Sequence, residues 1–339
     1  MIIVVRPGAT EEQVNEILEQ LEVHGLKAHI SEGSERLIIG VIGDKSRLSP
    51  DSLEVLSGVE KLVPIMESYK LASKAFRPEG TSFDIKGVTL GGKELVIMAG
   101  PCAVESEEQV ESVAAKLRAC GAKFLRGGAY KPRSSPYAFQ GLEKEGLQIL
   151  RRVADRHDLL VTSEITSEND IEYAADYLDM IQIGARNAQN FRLLSAVGKS
   201  GIPVLLKRGI AETIDEWLGS AEYIMSEGNY KIALCERGIR TFETATRSTL
   251  DISAVPVLKG KTHLPVIVDP SHAAGKAQYV APLSLAAIAA GADGLIIEVH
   301  PNPKAALSDA AQQLTPEAFK TLTDGIRAMS VILGRTYPE

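Results

Sequence analysis

The chain has 339 residues, 45% of them hydrophobic and 24% charged, with a formal net charge of −7. That is more than one typical domain, so the expectation is either one large α/β barrel with an extension or two compact domains. An acidic balance without any long basic run argues against nucleic acid or an anionic membrane surface as a partner, and no apolar run is long enough to span a bilayer.

Met1-Ile2-Ile3-Val4-Val5 leads straight into Arg6-Pro7-Gly8 rather than into a signal-peptide cleavage site, so a cytoplasmic location is expected. In that reducing compartment Cys102, Cys120 and Cys235 stay thiols. Residues 1–70 read as strand (Ile2 to Val5), helix (Glu11 to His24), strands (Lys27 to Ser31 and Arg36 to Ile42), helix (Pro50 to Ser57) and strand (Val59 to Ile65). Thr10 with Gln13 resembles a capping box, Gly25 is a helix stop, and Glu32-Gly33 stands where a hairpin turn is needed. The βαββαβ order predicts a small ferredoxin-like domain, a module that regulates or mediates assembly rather than doing chemistry.

Residues 71–93 carry Arg77-Pro78-Glu79-Gly80 and Gly87, Gly91 and Gly92, which predict a linker and a short hairpin. Over residues 94–339, short apolar strands alternate with amphipathic helices. The strands are Leu95 to Ala99, Ala122 to Leu125, Leu159 to Ser163, Met180 to Ile183, Val204 to Leu206, Ile232 to Leu234, Val266 to Val268 and Leu295 to Ile297. Eight βα units predict a (β/α)8 TIM barrel, and the absence of a GxGxxG turn after the first strand disfavours a doubly wound sheet.

Polar residues crowd just past the C-terminal ends of those strands. In order they are Cys102; Arg126, Lys131 and Arg133; Glu164; Ala185, Arg186 and Asn187; Lys207 and Arg208; Glu236 and Arg237; Asp269, Ser271 and His272; and Glu298 and His300. In a barrel all of these rim one mouth, the face that carries the active site in such enzymes. The loop LRGGAYKPRSSP from Leu125 is the densest part. Its glycines allow close backbone approach, Pro132 stiffens the turn between two cations, and Ser134 and Ser135 add hydroxyl donors. Phosphate or carboxylate is the natural guest.

Two chemical subsets separate. Seven cations (Arg126, Lys131, Arg133, Arg186, Lys207, Arg208 and Arg237) exceed the need of one phosphate and predict either a substrate with several anionic groups or two phosphorylated substrates. Cys102, His272 and Glu298, with Asp309 as a possible fourth member, form a mixed sulfur, nitrogen and oxygen set that suits a divalent transition metal. Spacing alone is weak support, since no CxxC or HxxxH pair is present; the convergence of strand ends is what favours it.

The motifs GPCAVES, LRGGAYKPRSSP, IGARNAQN, LLKRG, ERGIRTFE, VDPSHAAG and EVHPNPKAALSD occur in that order. Together they resemble the 3-deoxy-D-arabino-heptulosonate 7-phosphate (DAHP) synthase family across the whole barrel, and the N-terminal module resembles the ferredoxin-like extension of one branch. The resemblance implies condensation of phosphoenolpyruvate with erythrose 4-phosphate, releasing phosphate, the first step of the shikimate pathway. It implies that Cys102, His272, Glu298 and Asp309 bind one divalent metal ion per subunit (manganese, iron, cobalt or zinc). Arg126, Lys131, Glu164, Ala185, Arg186, Lys207 and Arg237 would surround phosphoenolpyruvate, Asp269 would be a further substrate-binding residue, and Arg133 with Ser134 would take the phosphate of the erythrose. Lys131 is expected as general acid and Glu164 as the group that orients water. The N-terminal domain would bind tyrosine or phenylalanine as feedback inhibitor, in a homotetramer. Two departures are small. Many relatives carry Thr at the place of Ser134, and Ser-Gly-Gly at that of Ala273-Ala274-Gly275.

Three other readings compete. In the related 3-deoxy-D-manno-octulosonate 8-phosphate synthase, which uses arabinose 5-phosphate, an Ala-Asn pair typically stands where Lys131-Pro132-Arg133 is uninterrupted here. A phosphometabolite sensor would not need the metal set. A Schiff-base aldolase needs a desolvated lysine, whereas Lys207 stands beside Arg208.

Overall fold

Strand and helix positions follow hydrophobic period in both halves of the chain. The computed structural model describes residues 1–32, 36–43, 50–63, 69–132 and 135–338. The chain divides into two compact units, residues 1–81 with 261–263, and residues 82–260 with 264–339.

In the first unit, β1 (Ile2–Val5), β2 (Lys27–Glu32), β3 (Leu37–Ile42) and β4 (Val59–Val63) form an antiparallel sheet in the order β2-β3-β1-β4. Ile3 pairs with Ile39 on one side and Leu62 on the other. Their inward partners Ile17, Leu21 and Leu53, from the helices Glu11–Val23 and Pro50–Glu54, complete an apolar core. Thr10 and Gln13 make the reciprocal capping-box bonds at the start of the first helix. The ferredoxin-like fold expected from the element order is present. The turn expected at Gly33 lies outside the described residues.

In the second unit, a hairpin of β5 (Phe83–Ile85) and β6 (Val88–Leu90) precedes eight parallel strands: β7 (Val96–Gly100), β8 (Phe124–Arg126), β9 (Leu160–Glu164), β10 (Met180–Ile183), β11 (Val204–Lys207), β12 (Ile232–Glu236), β13 (Val266–Val268) and β14 (Gly294–Glu298). Pairing of β14 with β7, Glu298 opposite Gly100, closes the barrel. Helices follow the strands, several with good caps: Ser106 accepts from the amide of Gln109, and Thr213 with Glu216 forms a capping box.

Side chains along a strand alternate between faces, so every second residue points into the barrel. Val96, Met98, Phe124, Met180, Leu205, Cys235, Ile267 and Ile296 fill its lower interior together with Phe83, Ile85 and Leu90 of the hairpin. Each large side chain so buried contributes about 1.5–3 kcal/mol. Two residues further along, the same inward row turns polar: Phe124 gives way to Arg126, Met180 to Gln182, Leu205 to Lys207, Cys235 to Arg237, Ile267 to Asp269 and Ile296 to Glu298. The sequence expectation stopped most of these strands one or two residues early. Arg126, Glu164, Lys207 and Glu298 are each the last residue of a strand and paired in the sheet, so these inward polar residues are anchored by the ladder and not by loops.

Candidate active site

Cys102, His272, Glu298 and Asp309 come together at the mouth, each offering a ligand atom, all within 4.8 Å of one another. Cys102 Sγ lies 3.6 Å from Asp309 Oδ2, and His272 Nε2 lies 3.4 Å from Glu298 Oε1 and 3.9 Å from Asp309 Oδ2. The loop after β7, the short helix Pro270–Ala274, the end of β14 and the segment beyond it supply them, and each is held from behind. The Cys102 amide donates to Gln313 Oε1 (3.0 Å), and Gln312 Nε2 donates to Glu298 Oε2 (2.6 Å). Arg247 Nη1 donates to Asp309 (3.0 Å), and His272 Nδ1 meets Asp269 Oδ2 at 2.7 Å. The last bond leaves Nε2 facing the cluster, the arrangement a metal-ligating imidazole needs. Asp309 has φ of 47°, a left-handed conformation costing an ordinary residue about 1–2 kcal/mol, kept where its carboxylate completes the cluster. A thiol, an imidazole and two carboxylates fit a divalent transition metal better than a hard oxygen-seeking ion.

Beside the cluster is a cavity lined by Arg126, Lys131, Pro132, Glu164, Gln182, Ala185, Arg186, Lys207, Arg237, Arg247, His272 and Asp309. Lys131 Nζ donates to Cys102 Sγ (3.0 Å) and to the Cys102 carbonyl (3.2 Å). Arg126 Nη1 is bound to Pro101 O (2.7 Å) and Glu298 Oε1 (3.2 Å), while its Nε is buried with no protein partner among the described residues, a donor left for a ligand. Two glycines make room. A Cβ at Gly128 would lie 2.5 Å from Lys131 Cδ and 2.8 Å from Cys102 O, and one at Gly184 would lie 1.9 Å from Glu164 Oε1.

Electrostatics follow from crowding buried charges. Burial pushes the Cys102 thiol up to about 12, and nearby Glu298 pushes the same way against Lys131. The thiol is therefore protonated until an ion displaces the proton. Burial would lower Lys131, but its contacts with the Cys102 sulfur and the nearby Glu298 carboxylate outweigh that and hold the ammonium above its ordinary value. Burial raises Glu164 against the pull of Lys131, Lys207 and Arg186. Asp269 sits well below the carboxylate range despite burial, because His272 and Lys207 face it.

Some predicted residues stand elsewhere. Arg208 and Glu236 do not line the cavity: Lys207 and Cys235 point inward, so their neighbours point outward. Arg208 Nη1 there pairs with Glu236 (3.0 Å) and Asp251 (2.9 Å), beside the Trp217 ring. Asp269 is 1% exposed, engaged by Lys207 and His272, and does not line the cavity. His300 is buried, its Nε2 3.5 Å from Glu105 Oε2, and does not line the cavity. Arg133 and Ser134 lie outside the described residues. Sequence reading missed Arg247, Gln182, Gln312 and Gln313. Gln182 was findable by parity, two residues beyond Met180. Arg247 stands in a long loop after β12, where no spacing rule points to it.

The fold and the mouth together define a (β/α)8-barrel enzyme in which a cluster of Cys102, His272, Glu298 and Asp309 that could hold a metal ion adjoins a cavity lined by cations. Residues 70–333 match the DAHP synthetase I family and residues 1–67 match the DAHP synthase ferredoxin-like domain. The chain belongs to the DAHP synthetase I family. It is 52% identical over 334 residues to the phospho-2-dehydro-3-deoxyheptonate aldolase of Thermotoga maritima, covering 98% of this chain and 99% of that protein. The crystal structure of that DAHP synthase superposes with a TM-score of 0.80 at 51% identity, covering 99% of this chain and 98% of that one. A truncated form of the Thermotoga maritima enzyme covers 80% of this chain and 99% of its own, with a TM-score of 0.75 at 51% identity. The 2-dehydro-3-deoxyphosphooctonate aldolase of Syntrophotalea carbinolica is more distant, 33% identical over 272 residues, 74% of this chain and 97% of its own length.

Proposed function

We infer that this chain condenses phosphoenolpyruvate with erythrose 4-phosphate to give DAHP and inorganic phosphate, the first step of the shikimate pathway. The observation that carries the reading is the convergence of Cys102, His272, Glu298 and Asp309 beside a cavity rich in fixed cations. In this reading Arg126, Lys131, Arg186, Lys207 and Arg237 hold the phosphate and carboxylate of phosphoenolpyruvate, with Ala185 against it. Arg133 and Ser134 take the phosphate of the aldose. Cys102, His272, Glu298 and Asp309 would hold a manganese, iron, cobalt or zinc ion, which would supply Lewis-acid polarisation of the aldehyde.

The chain's own groups do the rest. Fixed cations orient C3 of phosphoenolpyruvate toward the aldehyde carbon, and because they need no reorganisation they stabilise developing charge strongly; one such contact is worth roughly 10²–10³ in rate. As the new carbon–carbon bond forms, the aldehyde oxygen takes up an electron pair and a proton, and Lys131, held protonated by Cys102 and Glu298, is placed to deliver it. Glu164, fixed against Gly184 and 3.4 Å from Gln182 Nε2, orients the water that adds at C2. Phosphate then leaves with its bridging oxygen, and C2 becomes the ketone.

The N-terminal ferredoxin-like unit is read as a regulatory module that binds tyrosine or phenylalanine within a homotetramer. The absence of any helix long and apolar enough to cross a membrane, among the described residues, fits a cytoplasmic enzyme. Full-length coverage of the Thermotoga maritima protein, N-terminal unit included, supports the four-carbon acceptor over arabinose 5-phosphate, because the octulosonate aldolase match covers 74% of the chain. The test offers metal-loaded protein each aldose separately with phosphoenolpyruvate. Consumption with erythrose 4-phosphate is expected; consumption with arabinose 5-phosphate alone would move the assignment to the octulosonate reaction.

A further inference from the structure

A second cavity adjoins the first on the β10 to β12 side of the mouth. It is lined by Arg186, Ile210, Arg237, Arg240, Arg247 and Ser248, with Ala185. All of its charged lining residues are arginines. Among the described residues only Arg247 has a carboxylate partner, Asp309; Arg186, Arg237 and Arg240 form no salt bridge. Arg237 is 6% exposed, and its guanidinium is positioned by the Gly238 carbonyl (3.2 Å) and Ser248 Oγ (3.3 Å), both neutral acceptors. A buried guanidinium without a counter-ion is costly unless an anion visits it, and burial holds its pKa below the ordinary arginine value. Arg240 is exposed at the outer rim, its amide bound to Ile210 O (2.7 Å).

Arg186, Arg237 and Arg247 line both cavities. A guanidinium carries several donors in a fixed fork, so one arginine can bridge two neighbouring oxyanions. The second cavity, about 250 Å³, is several times the roughly 30 Å³ share of one water, enough for a tetrahedral oxyanion with part of its hydration. Its lining residues follow β10, β11 and β12, whereas Arg133 and Ser134, given to the aldose phosphate above, follow β8 in the chain.

We propose that this second cavity is a transit site for inorganic phosphate, receiving the dianion cleaved from phosphoenolpyruvate through the shared Arg186 and Arg237 and passing it to solvent past Arg240. The assignment of the anion as released phosphate rests on the reaction inferred above; the cavity's affinity for phosphate does not. Arg240 lines only this second cavity, which makes it the discriminating position.

The experiment titrates inorganic phosphate by calorimetry into metal-loaded, full-length protein already saturated with phosphoenolpyruvate, so that the first cavity is filled. Wild type is expected to bind phosphate, Arg240→Ala to bind it about tenfold more weakly, and Arg240→Lys to fall between, since it keeps the charge but loses the fork. Arg133→Ala is expected to bind like wild type. Equal affinity in wild type and Arg240→Ala, loss in Arg133→Ala alone, or no binding to the phosphoenolpyruvate-loaded protein would each overturn the proposal. Failure to bind phosphoenolpyruvate or to consume an aldose is read separately, before phosphate is added, and would count against the inferred reaction instead.

Discussion

Asp269→Asn probes how the site is held, because Asp269 is a single carboxylate serving three groups. It is 1% exposed, faces the Lys207 ammonium, accepts from His272 Nδ1 at 2.7 Å and caps the His272 amide at 2.9 Å. Replacing it with the neutral isostere leaves Lys207 charged and buried without its counter-ion, a change that costs about 3–5 kcal/mol. In a unit of this size each kcal/mol lowers Tm by about 2–4 °C, so a fall of roughly 6–20 °C is expected in thermal unfolding followed by circular dichroism. His272 also loses the acceptor that fixes its tautomer, and metal affinity should drop about 10–100-fold in a competition titration with a chromogenic chelator. The double substitution Asp269→Asn with Lys207→Met removes both charges and should recover much of the lost Tm without recovering activity. A single variant as stable as wild type with unchanged metal affinity, or a double variant no more stable than the single, would refute this reasoning.

Lys131→Met should lower turnover by at least about 10²-fold while far-ultraviolet circular dichroism stays unchanged, as expected for loss of a general acid; near-normal turnover would remove Lys131 from that role. Gly184→Ala suits the backbone, φ being −76°, yet its Cβ would sit 1.9 Å from Glu164 Oε1. It should cost about 1–3 kcal/mol in stability and depress kcat as Glu164 is pushed aside; wild-type kcat would show that the position of Glu164 does not matter. His263 gives a pH prediction. It is 4% exposed, its ring bound to Leu71 O and Thr81 Oγ1, both at 2.6 Å, and burial lowers its pKa to about 4. A histidine lowered in the fold stabilises above its unfolded value near 6.5 and loses that contribution as pH falls from there toward 4. The loss is about 3 kcal/mol. Denaturant unfolding of wild type at pH 7 and pH 4.5 should show most of this difference, and His263→Gln should flatten it. An equal pH dependence in both proteins would exclude His263 as the source.

Much of this architecture is written in local pattern. The βαββαβ order, the capping box at Thr10, and alternation of short apolar strands with helices are properties of period and punctuation, and they specify a ferredoxin-like sheet and an eight-strand barrel. The convergence of Cys102, His272, Glu298 and Asp309 was legible because each follows or ends a barrel strand, and strand ends of a barrel meet at one mouth. Parity was less legible. Reading Lys207 and Arg208 as equivalent rim cations overlooked that adjacent strand residues face opposite ways, which sends Arg208 to Glu236 and Asp251 outside the barrel. Asp269 was expected among the substrate-binding residues from its place after the seventh barrel strand. Its burial under Lys207 and His272 depends on packing that no spacing rule records. Arg247 reaches Asp309 from a loop position fixed by tertiary contacts alone.

The most direct measurement is the metal stoichiometry of catalysis. Chelator-stripped protein, supplied with phosphoenolpyruvate and erythrose 4-phosphate, is titrated with manganese while DAHP formation is followed, alongside His272→Ala and Glu298→Ala. DAHP formation that is absent without metal, saturates at one equivalent per chain and cannot be restored in either variant is the predicted result. Full activity in the presence of excess chelator, or metal-independent turnover by either variant, would contradict the account.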